Sequence, residues 1–153
     1  LRELNTFIQS IQYSKFPEIN CFLQVVEHTG IPVECCHLGV HYIDKKLGSG
    51  LPASKGDIVR VHYIGRLEST GEIFDRSKKK QGPFEFKLGE KEVIPGWDIG
   101  IAGMRMAGSR SLIIPPDKAY GKRGIPPDIP PYATLLFEIH VVEILRESVS
   151  KRY

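Results

Sequence analysis

The sequence contains few cysteines, no long apolar run and no large excess of positive or negative charge. Its 3 cysteines in 153 residues are an odd number that does not suit a secreted disulfide scaffold, so we expect reduced thiols and a cytoplasmic or nuclear location. No stretch approaches the roughly 18 consecutive apolar residues of a membrane span. The net charge of +3 is too small to indicate a nucleic-acid partner. These absences favour a soluble protein with one principal domain.

The sequence also lacks the local patterns of nucleophilic catalysis. It contains no G-x-S-x-G motif and no other recognisable context for a catalytic Ser. His62 and His140 occupy strand positions that we predict to face away from the core, where a solvated or hydrogen-bonded histidine is the commoner case. Hydrolase chemistry is therefore disfavoured.

A short run of possible metal ligands, Cys35, Cys36 and His37, has the wrong spacing for zinc. Structural zinc sites usually separate their paired cysteines by two to four residues, whereas these two are adjacent. We therefore favour two small buried thiols over a metal site, and expect neither a metal nor a cofactor.

Two stretches near the N-terminus repeat apolar residues at steps of three and four. The pattern predicts two short helices, the second bounded by Pro17 and Gly30. A buried strand remains the alternative around Cys21 to Val26, because β-branched and aromatic residues also suit a sheet. The apolar positions are Leu1, Leu4, Ile8, Ile11, Ile19, Phe22, Leu23 and Val26.

From Val40 onward the period changes to two, which is typical of strands in an antiparallel sheet with one wetted side. The strand around Val61 and the strand around Phe137 both alternate in this way. Between them Pro95 can begin a short helix whose apolar face carries Trp97, Ile101 and Met104. Many strands and one helix predict an α+β fold.

A series of motifs covers the stretch from about Gly39 to Leu145 and resembles the FKBP family of peptidyl-prolyl cis/trans isomerases. The motifs are Val61-His62-Tyr63-Ile64-Gly65, Phe74-Asp75, Pro83-Phe84-Glu85-Phe86, Val93-Ile94-Pro95-Gly96-Trp97, Ala119-Tyr120-Gly121, Ile129-Pro130-Pro131 and Leu135-Leu136-Phe137. The resemblance implies a strongly twisted antiparallel sheet that wraps one short helix. We divide the chain into an N-terminal extension at 1–38, an isomerase domain at 39–145 and a polar tail at 146–153.

The aromatic residues would, on composition alone, simply fill a core. The resemblance implies instead that they line a shallow apolar cleft with Trp97 as its floor, and that the Ile94 N–H and the Tyr120 hydroxyl bind ligand carbonyls. It implies a carboxylate at Asp75 that is held by Tyr63 or by a cation. The implied lining is Tyr63, Phe74, Asp75, Phe84, Val93, Ile94, Trp97, Tyr120, Ile129 and Phe137, and the implied catalytic set is Tyr63, Asp75, Trp97, Tyr120 and Phe137.

The sequence departs from the family pattern at a few positions outside this set. Lys80 stands where the family often has an Arg near the Asp, Ile125 stands where a His is common, and Asp128 stands where an apolar residue is common. Pro95 replaces a frequent Arg or Lys, and one extra residue lengthens the turn around Thr70. These changes leave the activity class better supported than any substrate preference.

The basic residues Arg76, Lys78, Lys79 and Lys80 form one cluster, and Lys122 with Arg123 forms another. A solvated loop is the favoured interpretation of such runs, with docking of an acidic or nucleic-acid partner as the alternative.

The resemblance implies an enzyme that isomerises Xaa-Pro bonds in proline-containing polypeptide clients and binds the macrolides tacrolimus and rapamycin. We expect a monomer. The alternative is a binding or chaperone module of the same fold, without turnover, that is recruited through residues 1–38. Since the chain opens on Leu1 instead of Met, the lack of a targeting segment in this sequence carries no weight, and the sequence names no client.

Overall fold

The computed structural model describes residues 34–146, and the strands in this range form one antiparallel sheet. The helices predicted within 1–33 lie outside the described residues. The strands are β1 (Glu34–His37), β2 (Val40–Lys46), β3 (Ile58–Leu67), β4 (Ile73–Arg76), β5 (Phe84–Lys87), β6 (Ser109–Ile114) and β7 (Leu135–Leu145). One α-helix, α1 (Pro95–Ile101), and two short 3-10 helices, Lys79–Gln81 and Pro116–Lys118, complete the described elements.

The strand order is β1-β2-β6-β7-β3-β4, and β5 also pairs with β3. β3 pairs with β7 along one edge, while its other edge is shared by β5 at 58–61 and β4 at 64–66. This order confirms the predicted α+β class. β1 falls in the stretch that we assigned to the extension, and it pairs with β2. The division into extension, domain and tail stays a prediction.

The two long central strands alternate as the sequence predicts. On β7 the side chains of Leu135, Phe137, Ile139 and Val141 are buried, whereas Glu138 and His140 are exposed. On β3, Val59, Val61 and Leu67 are buried on the same face. The core therefore lies between this inner face of the sheet and α1.

Two glycines allow α1 to lie very close to β6. A Cβ atom on Gly96 would come within 2.3 Å of Ile114, and one on Gly100 within 2.7 Å of Leu112. Pro95 occupies the first turn of the helix, where its missing N–H costs nothing. We predicted that the apolar face of this helix extends to Met104, but the helix ends at Ile101, about one turn earlier. Met104 is nevertheless buried.

Arg110 on β6 is buried beneath the end of α1, and the sequence analysis did not predict its role. Its guanidinium donates to both carboxylate oxygens of Asp44, at 2.7 and 3.0 Å, and to the Gly100 carbonyl at 2.8 Å. It also lies 3.9 Å from the centre of the Tyr42 ring. Arg110 thus ties the free carbonyls at the C-terminus of α1 to β2.

Cys36 is exposed, which corrects the prediction of two buried thiols; it lies on β1, at an edge of the sheet. Within residues 34–146, no cluster of three or more His, Cys, Asp or Glu side chains is placed to hold a metal ion. Nor does this part of the chain contain a helix of the length and apolar character that a membrane crossing requires.

Candidate active site

A cleft of about 230 Å³ opens between the inner face of the sheet and the N-terminal end of α1. We call it the aromatic cleft. It is lined by Tyr63, Phe74, Asp75, Phe84, Glu92, Val93, Ile94, Trp97, Tyr120 and Phe137. β3, β4, β5, β7 and α1 each contribute at least one of these side chains, so the cleft exists only in the folded chain.

Trp97 is the centre of the aromatic cluster. Its ring meets Tyr63, Phe137 and Phe84 edge-to-face, with centroids at 5.0, 5.3 and 5.9 Å. The side chain is only 5% exposed, and its indole N–H is buried without an acceptor in the described part of the chain. Edge-to-face contacts on several sides hold the indole in one orientation, as a floor for the cleft requires.

Gly65 on β3 creates the space for two of the lining rings. A Cβ atom at this position would lie 2.7 Å from both Phe137 and Phe74. The two rings consequently meet edge-to-face above the glycine, with centroids 5.6 Å apart. The wall of the cleft therefore depends on a residue that has no side chain of its own.

The Asp75 carboxylate is held by a hydroxyl and a backbone amide. The Tyr63 hydroxyl donates to Oδ2 at 2.7 Å, and the Arg76 N–H donates to Oδ1 at 2.8 Å. Of the two supports expected for Asp75, the structure provides Tyr63. Lys80 is exposed and forms no ion pair with Asp75. Burial, and then the bond to Asp75, raises the pKa of Tyr63, so the hydroxyl stays a donor at neutral pH.

The hydrogen-bond donors of the aromatic cleft that have no acceptor among residues 34–146 include the backbone N–H of Ile94, just before α1, and the hydroxyl of Tyr120. Burial, and to a lesser extent the charge of Asp75, raises the pKa of Tyr120, which keeps its proton in place. A bound carbonyl group would satisfy either donor.

The structure brings together nine of the ten residues that the resemblance implied for the lining. Ile129 is not among the lining residues: it is 4% exposed, belongs to the same buried core as Trp97 and Phe137, and its backbone pairs with Ile125. Glu92 also lines the cleft although the motifs did not predict it, and its carboxylate accepts a hydrogen bond from the Lys87 N–H at 2.9 Å. Phe86 was likewise not predicted; its ring packs against Trp97, with the ring centroids 5.6 Å apart. Both residues could have been predicted from their place in the family motifs. Glu92 directly precedes Val93, and Phe86 belongs to the same motif as Phe84.

The sequence of this chain matches known proteins over the stretch that forms the cleft. Residues 50–142 match the family described as FKBP-type peptidyl-prolyl cis-trans isomerase. The chain is 49% identical over 106 residues to the 46 kDa FK506-binding nuclear protein of Spodoptera frugiperda, covering 69% of this chain and 26% of that protein. It is 52% identical over 99 residues to FK506-binding protein 2 of Kluyveromyces lactis, covering 65% of this chain and 71% of that protein.

Solved structures share the fold. The crystal structure of AtFKBP13 aligns with a TM-score of 0.63 and 40% identity, over 69% of this chain and 92% of the other. A peptidyl-prolyl cis-trans isomerase from Pseudomonas syringae aligns with a TM-score of 0.63 and 33% identity, over 71% and 77%. The chain spans about a quarter of the Spodoptera relative, so the properties of that whole protein are not transferred with the match.

Proposed function

Since the chain belongs to the FKBP-type peptidyl-prolyl cis-trans isomerase family, we propose that it accelerates rotation about Xaa-Pro bonds in polypeptides, using the aromatic cleft. The observation that carries the proposal is the combination of a fixed Trp97 floor with two unoccupied donors, the Ile94 N–H and the Tyr120 hydroxyl. The proposed catalytic set is Tyr63, Asp75, Trp97, Tyr120 and Phe137.

Isomerisation requires no nucleophile, because no covalent bond is made or broken. Rotation must overcome amide resonance, a barrier of about 18–20 kcal/mol. In the twisted state the amide loses its double-bond character and its carbonyl becomes less polar. An apolar cleft that removes water favours this state over the planar, well-solvated amide.

Each residue of the proposed catalytic set has its own role in this mechanism. The proline ring packs on the Trp97 indole, with Tyr63 and Phe137 at its sides. The Ile94 N–H and the Tyr120 hydroxyl bind carbonyls on either side of the rotating bond and hold the peptide in place. The Asp75 carboxylate, oriented by Tyr63, faces the rotating carbonyl. A gain of five to six powers of ten in rate needs about 7–8 kcal/mol of preferential binding to the twisted state.

The name of the Spodoptera relative includes binding of FK506, which is tacrolimus. We extend tacrolimus and rapamycin binding to this chain, in the aromatic cleft. Two carbonyl groups of such a macrolide would satisfy the Ile94 and Tyr120 donors. The relatives from Spodoptera and Drosophila are named nuclear proteins, and a nuclear or cytoplasmic location is part of the same proposal.

The test is the isomerisation rate of a short Xaa-Pro peptide, followed by NMR exchange or protease coupling, with and without tacrolimus. We expect acceleration that tacrolimus abolishes. Tyr120→Phe should slow turnover, while the matched Tyr132→Phe should not, because Tyr132 is 70% exposed and lies outside the cleft. Tacrolimus binding without acceleration would support the binding module instead. Absence of both would refute the proposal.

A further inference from the structure

A second and larger concavity lies on the opposite, outer face of the sheet. It has a volume of about 650 Å³ and is bordered by β2, β6, β7, β3 and β4. We call it the outer groove. Its floor contains Ser109, His140 and His62, which lie side by side on β6, β7 and β3, with Glu138 nearby on β7. The proposed isomerisation uses none of these side chains.

The two histidines of the floor are held by serine hydroxyls. Nδ1 of His62 lies 3.2 Å from the Ser77 hydroxyl, and Nδ1 of His140 lies 2.9 Å from the Ser109 hydroxyl. Both Nε2 atoms remain without a partner among the described residues. The floor therefore offers two oriented polar atoms that can bond the backbone of a bound chain.

Cationic side chains stand on both sides of the floor. Lys45 borders it at β2, and Arg76, Lys78 and Lys79 border it at β4 and the turn that follows. All four are exposed, and none forms an ion pair within residues 34–146. Among the described residues, the only carboxylate in the lining is that of Glu138. Arg110 also borders the groove, but Asp44 neutralises its positive charge. The groove thus has an unbalanced positive charge, which complements an acidic ligand.

The spacing of these charges indicates an extended ligand. β2 and β4 are separated by β6, β7 and β3, which places their side chains about 19 Å apart at about 4.8 Å per strand. A single phosphate group cannot contact both sides. About six residues of extended polypeptide, at about 3.3 Å each, cover the distance.

A nucleic acid fits the groove less well than a peptide does. Single-stranded nucleic acids bind by stacking bases on aromatic rings, and the one aromatic residue other than histidine in the lining, Tyr63, directs its hydroxyl to Asp75 in the aromatic cleft. A carboxylate in the floor, Glu138, would also repel a continuous row of phosphates.

We propose that the outer groove binds an extended acidic peptide segment of a partner protein, with carboxylates toward both ends and a polar middle part. The acidic ends pair with Lys45 on one side and with Arg76, Lys78 and Lys79 on the other. The middle part crosses the histidines. This surface is separate from the aromatic cleft, so binding here does not require that the isomerase proposal be correct.

The experiment is a fluorescence anisotropy titration of the full chain at low ionic strength. The probe is a fluorescein-labelled hexapeptide with two glutamates at each end and Ser-Gly in the middle. We expect saturable binding that weakens with added salt, and none with the peptide in which Gln replaces Glu. The pair Lys78→Glu and Lys79→Glu should weaken binding about tenfold or more, and Lys45→Glu alone about threefold.

A matched control is the pair Lys122→Glu and Arg123→Glu, which makes the same change of charge at exposed positions outside the groove. This pair should leave the affinity within about twofold. Equal weakening in the two pairs would mean that only overall charge matters and would overturn the proposal. Failure of the unmodified chain to bind the acidic probe would do the same, as would tighter binding of a labelled single-stranded hexanucleotide.

Discussion

The Tyr63 hydroxyl and the Asp75 carboxylate are 2.7 Å apart across the pair of strands β3 and β4. The bond joins a residue that packs against Trp97 to one of the two carboxylate residues that line the aromatic cleft. Asp75 is exposed to solvent, and the hydrogen bond from the Tyr63 hydroxyl fixes the orientation of its carboxylate. The effect of this orientation on the proposed isomerisation can be measured by mutagenesis.

We expect Tyr63→Phe to reduce the proposed isomerase turnover about fivefold, because the ring remains but the support of the carboxylate is lost. Asp75→Asn should reduce it by a similar factor. If the two act as a unit, the double variant should be little worse than either single one, which a double-mutant cycle measures. Additive losses would contradict the coupling.

The close approach at Gly65 makes a second prediction. In Gly65→Ala the new methyl group would be 2.7 Å from the Phe74 and Phe137 rings, so the rings must move. We expect the free energy of unfolding to fall by about 1–3 kcal/mol, and the affinity for tacrolimus, which we propose as a ligand, to fall with it. Urea denaturation and calorimetric titration measure the two effects.

A compensating variant distinguishes a steric cause from a backbone effect. Phe74→Leu, combined with Gly65→Ala, provides space for the methyl group and should recover part of the lost stability. If Phe74→Leu lowers the free energy of unfolding of Gly65→Ala by as much as it lowers that of the unmodified chain, the steric clash does not account for the effect of Gly65→Ala.

Arg110 supports a third prediction. Arg110→Ala should lower the free energy of unfolding by about 3 kcal/mol, because it leaves the Asp44 carboxylate and the Gly100 carbonyl without their donor. Chemical denaturation measures the loss. Arg123→Ala, at an exposed position with no ion pair to a described residue, should change stability by less than about 0.5 kcal/mol.

The stability of the protein in acid should depend on Asp57. This carboxylate is 3% exposed, and its bonds with Arg146, at 2.6 and 2.8 Å, lower its pKa to about 2. The folded pKa is below the unfolded value, so the contribution to stability is present above about pH 5 and is lost as the pH falls toward 2. The loss is about 2 kcal/mol.

Urea unfolding at pH 5 and at pH 2.5 tests this dependence. Asp57→Asn removes the titrating group, so its stability should fall less than that of the unmodified chain over this interval. Identical falls in the two proteins would show that other carboxylates account for the acid sensitivity.

The alternating strands were predictable because a sheet with one buried face requires apolar residues at every second position. Val59 and Val61 on β3, and Leu135 and Phe137 on β7, follow this rule and are buried. His62 and His140 were correctly predicted to face outward for the same reason. The two-residue period, however, says nothing of which strands are neighbours.

Most of the cleft lining was predictable only through the resemblance, since composition alone placed the aromatic residues in a core. Ile129, which the resemblance also implied, is not among the residues that line the cleft, and its role in binding stays a prediction. The interactions of the buried Arg110 side chain were not predicted either. No local pattern indicates that Arg110 reaches Asp44 and the end of α1, because the three segments meet only through tertiary pairing.

By itself the sequence determined the periods of its strands, the start of its helix at Pro95 and the motifs of its family. These are local properties, carried by neighbouring residues. Tertiary structure alone decided that Gly65 makes room for Phe74 and Phe137, that Tyr63 and not a cation holds Asp75, and that Lys45 and Lys78 border one groove. Each of these pairs residues from different elements, and their distances are set by strand order and close packing.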